Sequence, residues 1–179
     1  SEYISATDLA AFIFCPASYS VSKSFKIDQF LNKSNIQKGS KLHDELRLIY
    51  KKEVFGFNDS YFSYLNNNKK SVIKKIKSCR LIYNGHAENN NTFVNQEKKF
   101  IGKPDYIFVD PNNNYFVVEE KYHFRKFKEN RPSNHNDFYP NNLIQLQSYL
   151  EYIKDYDIKY GVLVNWYYTI ENENFIFID

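Results

Sequence analysis

Two short apolar runs joined by a turn constrain the fold of this chain more than any other feature of its sequence. Residues 106–109 and 115–118 are rich in aromatic and β-branched side chains, as buried strands are. Between them stand an aspartate, a proline and three consecutive asparagines. These residues favour a turn, because proline fixes φ and asparagine tolerates unusual backbone angles. The sequence therefore predicts a β-hairpin whose two strands are buried.

Charged side chains stand at the open end of this hairpin. Asp105 precedes the first run, and Glu119, Glu120 and Lys121 follow the second. Charges at the end of a buried strand are costly unless they serve a purpose. The hairpin folds Asp105 back toward Glu119, and Glu119 and Lys121 project from one face because they are two residues apart in a strand. Two carboxylates and an ammonium on one face suit a hard divalent cation with a positive charge beside it.

Pro104-Asp105 followed by Glu119-x-Lys121 resembles the catalytic core of the PD-(D/E)XK nucleases. The resemblance implies an α/β fold with a restriction-endonuclease-like core, a central mixed β-sheet flanked by helices. It also implies that Asp105, Glu119 and Lys121 are catalytic. Asp105, Glu119 and the main-chain carbonyl of Glu120 would bind one or two divalent ions. Lys121 would orient or help activate the attacking water and stabilise the developing negative charge.

Three further patterns resemble one branch of these nucleases, the RecB-like exonucleases of CRISPR adaptation called the Cas-four family. Near the start, Cys15 precedes a proline. A glycine followed by Leu-His on a predicted helix makes His43 a metal ligand by resemblance. Downstream, Gln145 and Tyr149 are four residues apart on one predicted helix face. The resemblance implies that Gln145 and Tyr149 contact DNA beside the active site.

Two of these matches have structural alternatives. In the family, the matching cysteine is the first of four ligands to an iron–sulfur cluster, but no cysteine follows Cys79 here. One thiolate cannot hold a cluster that needs four, so we expect no such cluster in this chain, and Cys15 can equally be a small buried hydrophobe. A histidine beside an apolar helical stripe is often structural, which is the alternative for His43. As a ligand, His43 would favour Mn²⁺, with Mg²⁺ also suitable.

The 179 residues suffice for one domain, a nuclease domain spanning 1–179. We divide it into a helical N-terminal part, 1–82, and a catalytic sheet core, 92–179. Capping side chains at Ser5–Asp8 predict a helix that runs to Cys15-Pro16 and resumes beyond it. Helical spacing also favours a helix over 59–82, and residues 86–91 are expected to form a polar turn.

The sheet core is predicted from alternating and apolar runs. Residues 92–101 are expected to form one strand that pairs with the Asp105 strand across Gly102, with Glu97 either a spare carboxylate near the site or an exposed strand residue. An amphipathic helix is predicted from 141 to about 156, followed by strands over 159–167 and 174–178. Four side chains of that helix are expected to face the sheet: Leu143, Leu146, Leu150 and Ile153.

Basic side chains near the predicted site suit nucleic acid. Arg125 and Lys126 alternate with aromatic residues just after Lys121, a pattern that fits phosphate contacts and base stacking. The alternative is an ordinary basic loop. One face of the predicted helix over 59–82 also carries lysines, which either contact phosphates or are simply solvated: Lys69, Lys70, Lys74, Lys75 and Lys77.

Composition limits the class of protein more than its activity. The formal net charge of +3 argues neither for nor against nucleic acid. No apolar run approaches about 18 residues, so we expect no membrane span, and no signal-peptide pattern begins the chain. Two cysteines do not suggest a disulfide scaffold, which favours a reducing, cytoplasmic setting.

The leading hypothesis is therefore a metal-dependent deoxyribonuclease using Mg²⁺ or Mn²⁺. By resemblance it would be an exonuclease acting on single-stranded DNA ends in a CRISPR-adaptation, defence or repair system, with other proteins of that complex as partners. Two alternatives stay open: a catalytically silent nucleic-acid-binding or assembly module on the same fold, and an RNA-processing nuclease. The intact Asp105, Glu119 and Lys121 argue against a silent module, which has no need of buried charges.

Overall fold

The computed structural model describes residues 2–25, 78–87, 92–124, 139–171 and 174–177. His43, Arg125, Lys126 and most of the predicted helix over 59–82 lie outside these ranges. The described elements, in chain order, are β1 (Ile4–Ser5), α1 (Ala6–Phe14), α2 (Pro16–Phe25), β2 (Arg80–Asn84), β3 (Phe93–Asn95), β4 (Phe100–Gly102), β5 (Tyr106–Val109), β6 (Tyr115–Phe124), α3 (Pro140–Tyr152), β7 (Ile158–Glu171) and β8 (Asn174–Phe177).

Five of these strands form the central sheet, in the order β2-β5-β6-β7-β8. β6 and β7 run parallel, whereas the other neighbouring pairs are antiparallel. Helix α3 lies between β6 and β7 in the chain and packs against both of them. A parallel pair joined through a helix is typical of α/β proteins. The prediction of an α/β fold with a mixed central sheet is confirmed at this level.

The predicted hairpin forms as β5 and β6, with Tyr106 opposite Val118 and Val109 opposite Tyr115. The turn is stabilised by Asp110, whose Oδ1 accepts hydrogen bonds from the main-chain N–H groups of Asn112 (2.9 Å) and Asn114 (2.8 Å). Asn113 has a φ of 63°, in the left-handed region that asparagine tolerates. The predicted tolerance of asparagine for unusual backbone angles is therefore observed at Asn113, whereas the hydrogen bonds to the Asp110 carboxylate were not predicted.

The predicted single strand over 92–101 is wrong. Residues 93–95 and 100–102 form two antiparallel strands, and β4 also pairs with β1 in a separate three-stranded sheet. Asn95 explains the reversal, because its side-chain oxygen accepts the Lys98 main-chain N–H (3.0 Å) and its amide donates to the Tyr152 carbonyl (2.9 Å). Glu97 lies in the turn, is 80% exposed and pairs with Lys98, so it is an exposed residue and not a spare site carboxylate.

The end of the predicted helix over 59–82 is also wrong, because β2 belongs to the central sheet and pairs with β5. The pairing has an irregularity between Leu81 and Tyr83. An extra residue at such a bulge turns the next side chain to the other face. Leu81 accordingly packs with Phe108, whereas Tyr83 packs with Ile107. This switch of faces removes the alternation that would have indicated a strand.

The N-terminal helices follow their predicted boundaries. Ser5 caps α1 by accepting the Asp8 main-chain N–H (3.0 Å), while the Asp8 carboxylate accepts the Ser5 main-chain N–H (3.0 Å). Such a reciprocal capping box satisfies helix-end donors. Cys15 has an extended backbone and ends α1, and α2 begins with Pro16 at its first position, where proline is well tolerated. Ala6 and Ala10 are buried where α1 packs on α3.

Helix α3 covers one face of the central sheet with a partly different set of side chains from the predicted one. Leu146 and Ile153 are buried and Leu150 is partly buried, as predicted. Leu143 is 43% exposed, contrary to expectation. Tyr149 and Ser148 are buried instead, because the inward face of α3 includes polar side chains. Among the described helices, none combines the length and apolar character needed to cross a membrane.

Candidate active site

Asp105 and Glu119 lie side by side at the open end of the β5–β6 hairpin. Tyr106 and Val118 are the paired residues at the open end of the hairpin. Asp105 and Glu119 are the next residues beyond this pair, one from each side of the hairpin. Residues opposite each other in an antiparallel pair project from the same face. Their face is the one covered by α3, because the neighbouring pair on that face, Ile107 and Val117, packs with Tyr149. The sheet therefore brings the two carboxylates together as predicted.

Glu119 is buried, with only 4% of its surface exposed. Its Oε1 accepts a hydrogen bond from Lys121 Nζ at 2.8 Å, which confirms that the two side chains share a face. Its Oε2 is buried and receives no hydrogen bond in the described part of the chain. Burial first, and then the negative charge of Asp105, raise the pKa of Glu119 to about 7, although the Lys121 ammonium and the main-chain N–H of Asp105 act to lower it. A carboxyl group with this pKa is partly protonated and partly ionised at neutral pH.

Lys121 joins the sheet to helix α3. Its Nζ donates a second hydrogen bond, also of 2.8 Å, to the side-chain oxygen of Gln145. The Gln145 amide in turn donates to the hydroxyl of Tyr149 (3.1 Å), and that hydroxyl donates to the Lys103 carbonyl at 3.4 Å. A continuous chain of polar contacts therefore runs from Glu119 to the strand connection before Asp105. The sequence prediction that Gln145 and Tyr149 share one helix face is confirmed.

Tyr149 differs from Gln145 in its exposure to solvent. Tyr149 is only 2% exposed, whereas Gln145 is half-buried beside Lys121. Burial, followed by the charge of Glu119, raises the pKa of Tyr149 well above its ordinary value, so its hydroxyl stays a neutral donor. In this structure Tyr149 supports Gln145 from behind. A direct contact of Tyr149 with nucleic acid stays a prediction.

The carboxylate of Asp105 has a contact on each oxygen. Oδ2 accepts the main-chain N–H of Glu120 at 2.7 Å, and Oδ1 lies 2.9 Å from His86 Nε2. The turn after β2 is also tied to Asp105 by its main chain, because Gly85 N–H donates to the Asp105 carbonyl at 2.8 Å. The sequence indicated only a polar turn at 86–91. His86 was missed because the contact depends on β2 pairing with β5, and β2 was not recognised as a strand.

Glu120 projects its side chain to the opposite face of the sheet. The carboxylate is buried, and its Oε2 accepts the hydroxyl of Tyr122 at 2.9 Å. Burial, together with the charge of Glu120, raises the pKa of Tyr122 well above its ordinary value. Only the main chain of Glu120 is therefore directed to Asp105. This is the part of the residue that the resemblance implied, although the role of its carbonyl as a ligand stays a prediction.

A cleft of about 540 Å³ opens beside Lys121 and Gln145, between the N-terminal helices and the start of α3. Lys121 is the one charged residue in its lining within the described chain. The remaining side chains are neutral: Thr7, Ala10, Ala11, Phe14, Cys15, Ser18, Tyr19, Ser22, Asn141 and Asn142. Cys15 therefore faces the cleft and is only partly buried. The volume is within the usual range of small-ligand pockets.

The donor set of Asp105 and Glu119 fits a hard divalent cation. Mg²⁺ is usually held by one or two carboxylates, with water and substrate phosphates completing the shell. The buried Oε2 of Glu119 is an oxygen donor that no described side chain satisfies. No group of three or more His, Cys, Asp or Glu side chains suited to a metal occurs in the described ranges. His43, the third predicted ligand, lies outside them, so the full ligand set stays a prediction.

A scan against models of known protein families gives no match to this chain. A search among curated proteins likewise finds no significant relative. The chemistry of the site is therefore the basis for assigning a function.

Proposed function

We propose that this chain is a divalent-metal-dependent nuclease that hydrolyses phosphodiester bonds. The observation that carries the proposal is the position of one buried carboxylate. Glu119 has one oxygen on Lys121 and the other buried without a partner in the described chain, beside the carboxylate of Asp105. A buried charge of this kind is expensive in a purely structural role. A buried carboxylate is useful in a site that must bind a cation and a phosphate together.

Asp105 and Glu119 would hold the cation, Mg²⁺ or Mn²⁺, with the Glu120 carbonyl and His43 as further ligands implied by the PD-(D/E)XK resemblance. The chemistry supplied by such an ion is a lowered pKa of a bound water and neutralised charge on the phosphate. Hydrolysis would form a bond between the oxygen of water and phosphorus and break one P–O ester bond. One proton of the water would end on the displaced oxygen, which leaves as an alcohol, and the other would pass to solvent. Glu119 and Asp105 both supply carboxylate oxygens, and such ligands favour a hard metal ion.

Lys121 would stabilise the negative charge that develops on the phosphate. A lysine ammonium has three N–H donors, and two of them are used by Glu119 and Gln145. No described residue accepts a hydrogen bond from the third, which would bind a phosphate oxygen at the edge of the cleft that Lys121 lines. The two protein hydrogen bonds fix the ammonium before substrate arrives. A preorganised donor of this kind contributes strongly to transition-state stabilisation.

The proposed substrate is a DNA strand, with a single-stranded end as the form implied by the RecB-like resemblance. The cleft beside Lys121 and Gln145 supports a strand over an intact duplex, because its volume of about 540 Å³ suits about one or two nucleotides and its described lining residues other than Lys121 are neutral. Neutral walls suit bases and sugars, whereas the phosphate would lie at Lys121. A role in CRISPR adaptation, defence or repair, with partner proteins, is proposed from the resemblance alone.

The decisive experiment is a cleavage assay on end-labelled substrates. Single-stranded DNA, double-stranded DNA and RNA would each be incubated with the purified protein and Mg²⁺, Mn²⁺ or EDTA. The proposal expects metal-dependent shortening of single-stranded DNA and no cleavage in EDTA. Retained binding without cleavage under every metal condition would instead support a silent nucleic-acid-binding module. Faster cleavage of RNA than of DNA would support an RNA-processing nuclease.

A further inference from the structure

His86 makes a side-chain contact with Asp105 from the turn after β2. The two atoms, His86 Nε2 and Asp105 Oδ1, are 2.9 Å apart, and their relative orientation makes this a close electrostatic contact and not a hydrogen bond. Only 17% of the His86 side chain and 13% of the Asp105 side chain are exposed. The contact is thus largely shielded from water. Polar interactions are stronger in such a buried environment than on the protein surface. It also lies at one of the two carboxylates proposed to hold the cation.

The surroundings of His86 fix its position. Its main-chain N–H donates to the Asn84 side-chain oxygen at 2.9 Å, which closes a tight turn after β2. Its ring lies 5.6 Å from the ring of Tyr106, measured between centroids. Gly85 approaches Pro104 so closely that a Cβ there would overlap the Pro104 carbonyl oxygen. The turn and the Pro104-Asp105 segment are therefore packed against each other at main chain and side chain together.

The two oxygens of Asp105 are consequently held from two directions. Glu120 N–H binds Oδ2 from β6, and His86 approaches Oδ1 from the turn after β2. A carboxylate held at one oxygen can still rotate about its terminal torsion, which has a broad energy profile. A second contact restricts that rotation. Restricting a ligand before the cation binds reduces the entropy lost on binding.

We propose that His86 is a positioning residue, which holds the Asp105 carboxylate in its orientation beside Glu119 and so sets the affinity of the pair for a divalent cation. The inference rests on the proposed function for its consequence, since it assigns a supporting residue to that same site. Residues that orient ligands from behind commonly change metal affinity by 10- to 100-fold. His86 would act through Asp105 and would not itself contact the cation.

The test measures Mn²⁺ affinity and cleavage separately in the full chain. His86→Ala is expected to raise the Mn²⁺ dissociation constant about 10-fold by calorimetry, with kcat at saturating Mn²⁺ changed by less than about threefold. His86→Gln places an amide donor near the position of Nε2 and is expected to restore most of the affinity. His123→Ala is the matched control, because it removes an imidazole that pairs with Asn165 on the same sheet, and its affinity should equal that of the wild type.

Three results would overturn the inference. An unchanged dissociation constant in folded His86→Ala would return His86 to a structural role, and so would equal losses in the alanine and glutamine variants. Coupling of bound Mn²⁺ to a ¹⁴N nucleus that disappears in His86→Gln, seen by pulsed electron paramagnetic resonance, would make His86 a direct ligand. If His86→Ala does not fold, His86→Asn carries the same expectation, because its side chain is too short to reach Asp105.

The failure of the inference is distinguishable from that of the proposed function. If the wild type binds no Mn²⁺ and cleaves no nucleic acid with any metal, the proposed function is wrong and the inference falls with it. If the wild type binds Mn²⁺ and cleaves, while His86→Ala is indistinguishable from it, only the inference is wrong. Calorimetry reports on the site even if the substrate chosen is a poor one.

Discussion

Lys121 Nζ lies 2.8 Å from the side-chain oxygen of Gln145, a residue 24 positions further along the chain and on a different element. The contact joins the end of a sheet strand to the helix that covers the sheet. Because Lys121 also binds Glu119, one ammonium connects the proposed metal ligand with the helix. The charge that would face a bound phosphate is therefore held by groups from both layers of the fold.

Replacement of Lys121 by alanine is expected to abolish metal-dependent cleavage while the fold persists. The loss should be at least about 100-fold in kcat, as for other preorganised donors that face developing charge. The fold should tolerate the change, because Glu119 without its partner becomes protonated and remains buried as a neutral acid. Cleavage of end-labelled single-stranded DNA measures the loss, and circular dichroism measures the fold.

Lys159→Ala is the matched control for that variant. Lys159 is exposed, pairs with Asp157 at 2.7 Å and lies on the strand β7 that neighbours β6. Exposed ion pairs contribute little to stability, so this variant should cleave as the wild type does. Full cleavage by Lys121→Ala would remove Lys121 from the mechanism.

Ionisation of Glu119 should lower the free energy of unfolding of the metal-free protein as pH rises from about 5 to 8. The pKa of Glu119 in the folded protein is raised from 4.5 to about 7, chiefly by burial. A carboxyl group whose pKa is higher in the folded than in the unfolded protein stabilises the fold while it is protonated. This stabilisation is complete below the pKa of the unfolded protein and is lost as pH rises through the pKa of the folded protein. The loss is at most about 3 kcal/mol, from about 1.4 kcal/mol for each pKa unit.

Urea unfolding in EDTA, at pH 5 and pH 8, measures this effect in the wild type and in Glu119→Gln. The glutamine variant cannot ionise at this position, so its stability should change less between the two pH values. The difference between the two proteins isolates Glu119 from other titrating groups. Equal pH dependence in both proteins would mean that Glu119 does not carry a raised pKa in the fold.

The local features of the hairpin were predictable because nearby residues determine them. The Asp110 turn depends on side chains within four positions of it, and Ser5 and Asp8 likewise cap their helix locally. The shared face of Glu119 and Lys121 follows from the two-residue period of a strand. These parts of the candidate site could therefore be predicted from the sequence alone.

Features that depend on distant partners were not predictable in the same way. β2 was hidden because its bulge sends Leu81 and Tyr83 to opposite faces, which erases the period of a strand. His86 follows β2, so its contact with Asp105 was hidden as well. The reversal at Asn95 also depends on a distant partner, the carbonyl of Tyr152. Each error traces to a long-range contact that overrode a local pattern.

Gly85→Ala should weaken both the fold and the metal site. A Cβ at position 85 would overlap the Pro104 carbonyl oxygen, a main-chain atom that cannot move without shifting Asp105. Overpacking of this kind typically costs about 1–3 kcal/mol. We expect a lower midpoint in urea and a weaker affinity for Mn²⁺, measured by calorimetry on the folded variant.

Gly161→Ala provides the comparison for that variant. A Cβ there would meet atoms of the Leu146 side chain at 2.8 to 3.0 Å, away from Asp105. A leucine side chain can adjust, so the variant should lose some stability and keep wild-type Mn²⁺ affinity. If both glycine variants bind Mn²⁺ as the wild type does, the turn after β2 has no influence on the site.

Tyr149→Phe tests whether the helix supports the site from behind. The variant removes the hydroxyl that accepts from the Gln145 amide and donates to the Lys103 carbonyl. The lost hydrogen bonds should cost about 1 kcal/mol of stability, while the buried ring keeps its packing. Gln145 would then be free to rotate away from Lys121, so kcat should fall about 10-fold with Mn²⁺ affinity unchanged.

Tyr152→Phe is the control on the same helix. Tyr152 is half-buried three residues beyond Tyr149, and its ring packs on Phe100 in the smaller sheet. Loss of its hydroxyl should leave both kcat and Mn²⁺ affinity unchanged. If Tyr149→Phe cleaves at the wild-type rate, Gln145 is held by Lys121 alone and the buried tyrosine serves only the core. If instead the affinity for single-stranded DNA falls while kcat stays constant, Tyr149 acts in substrate binding, as the family resemblance implied.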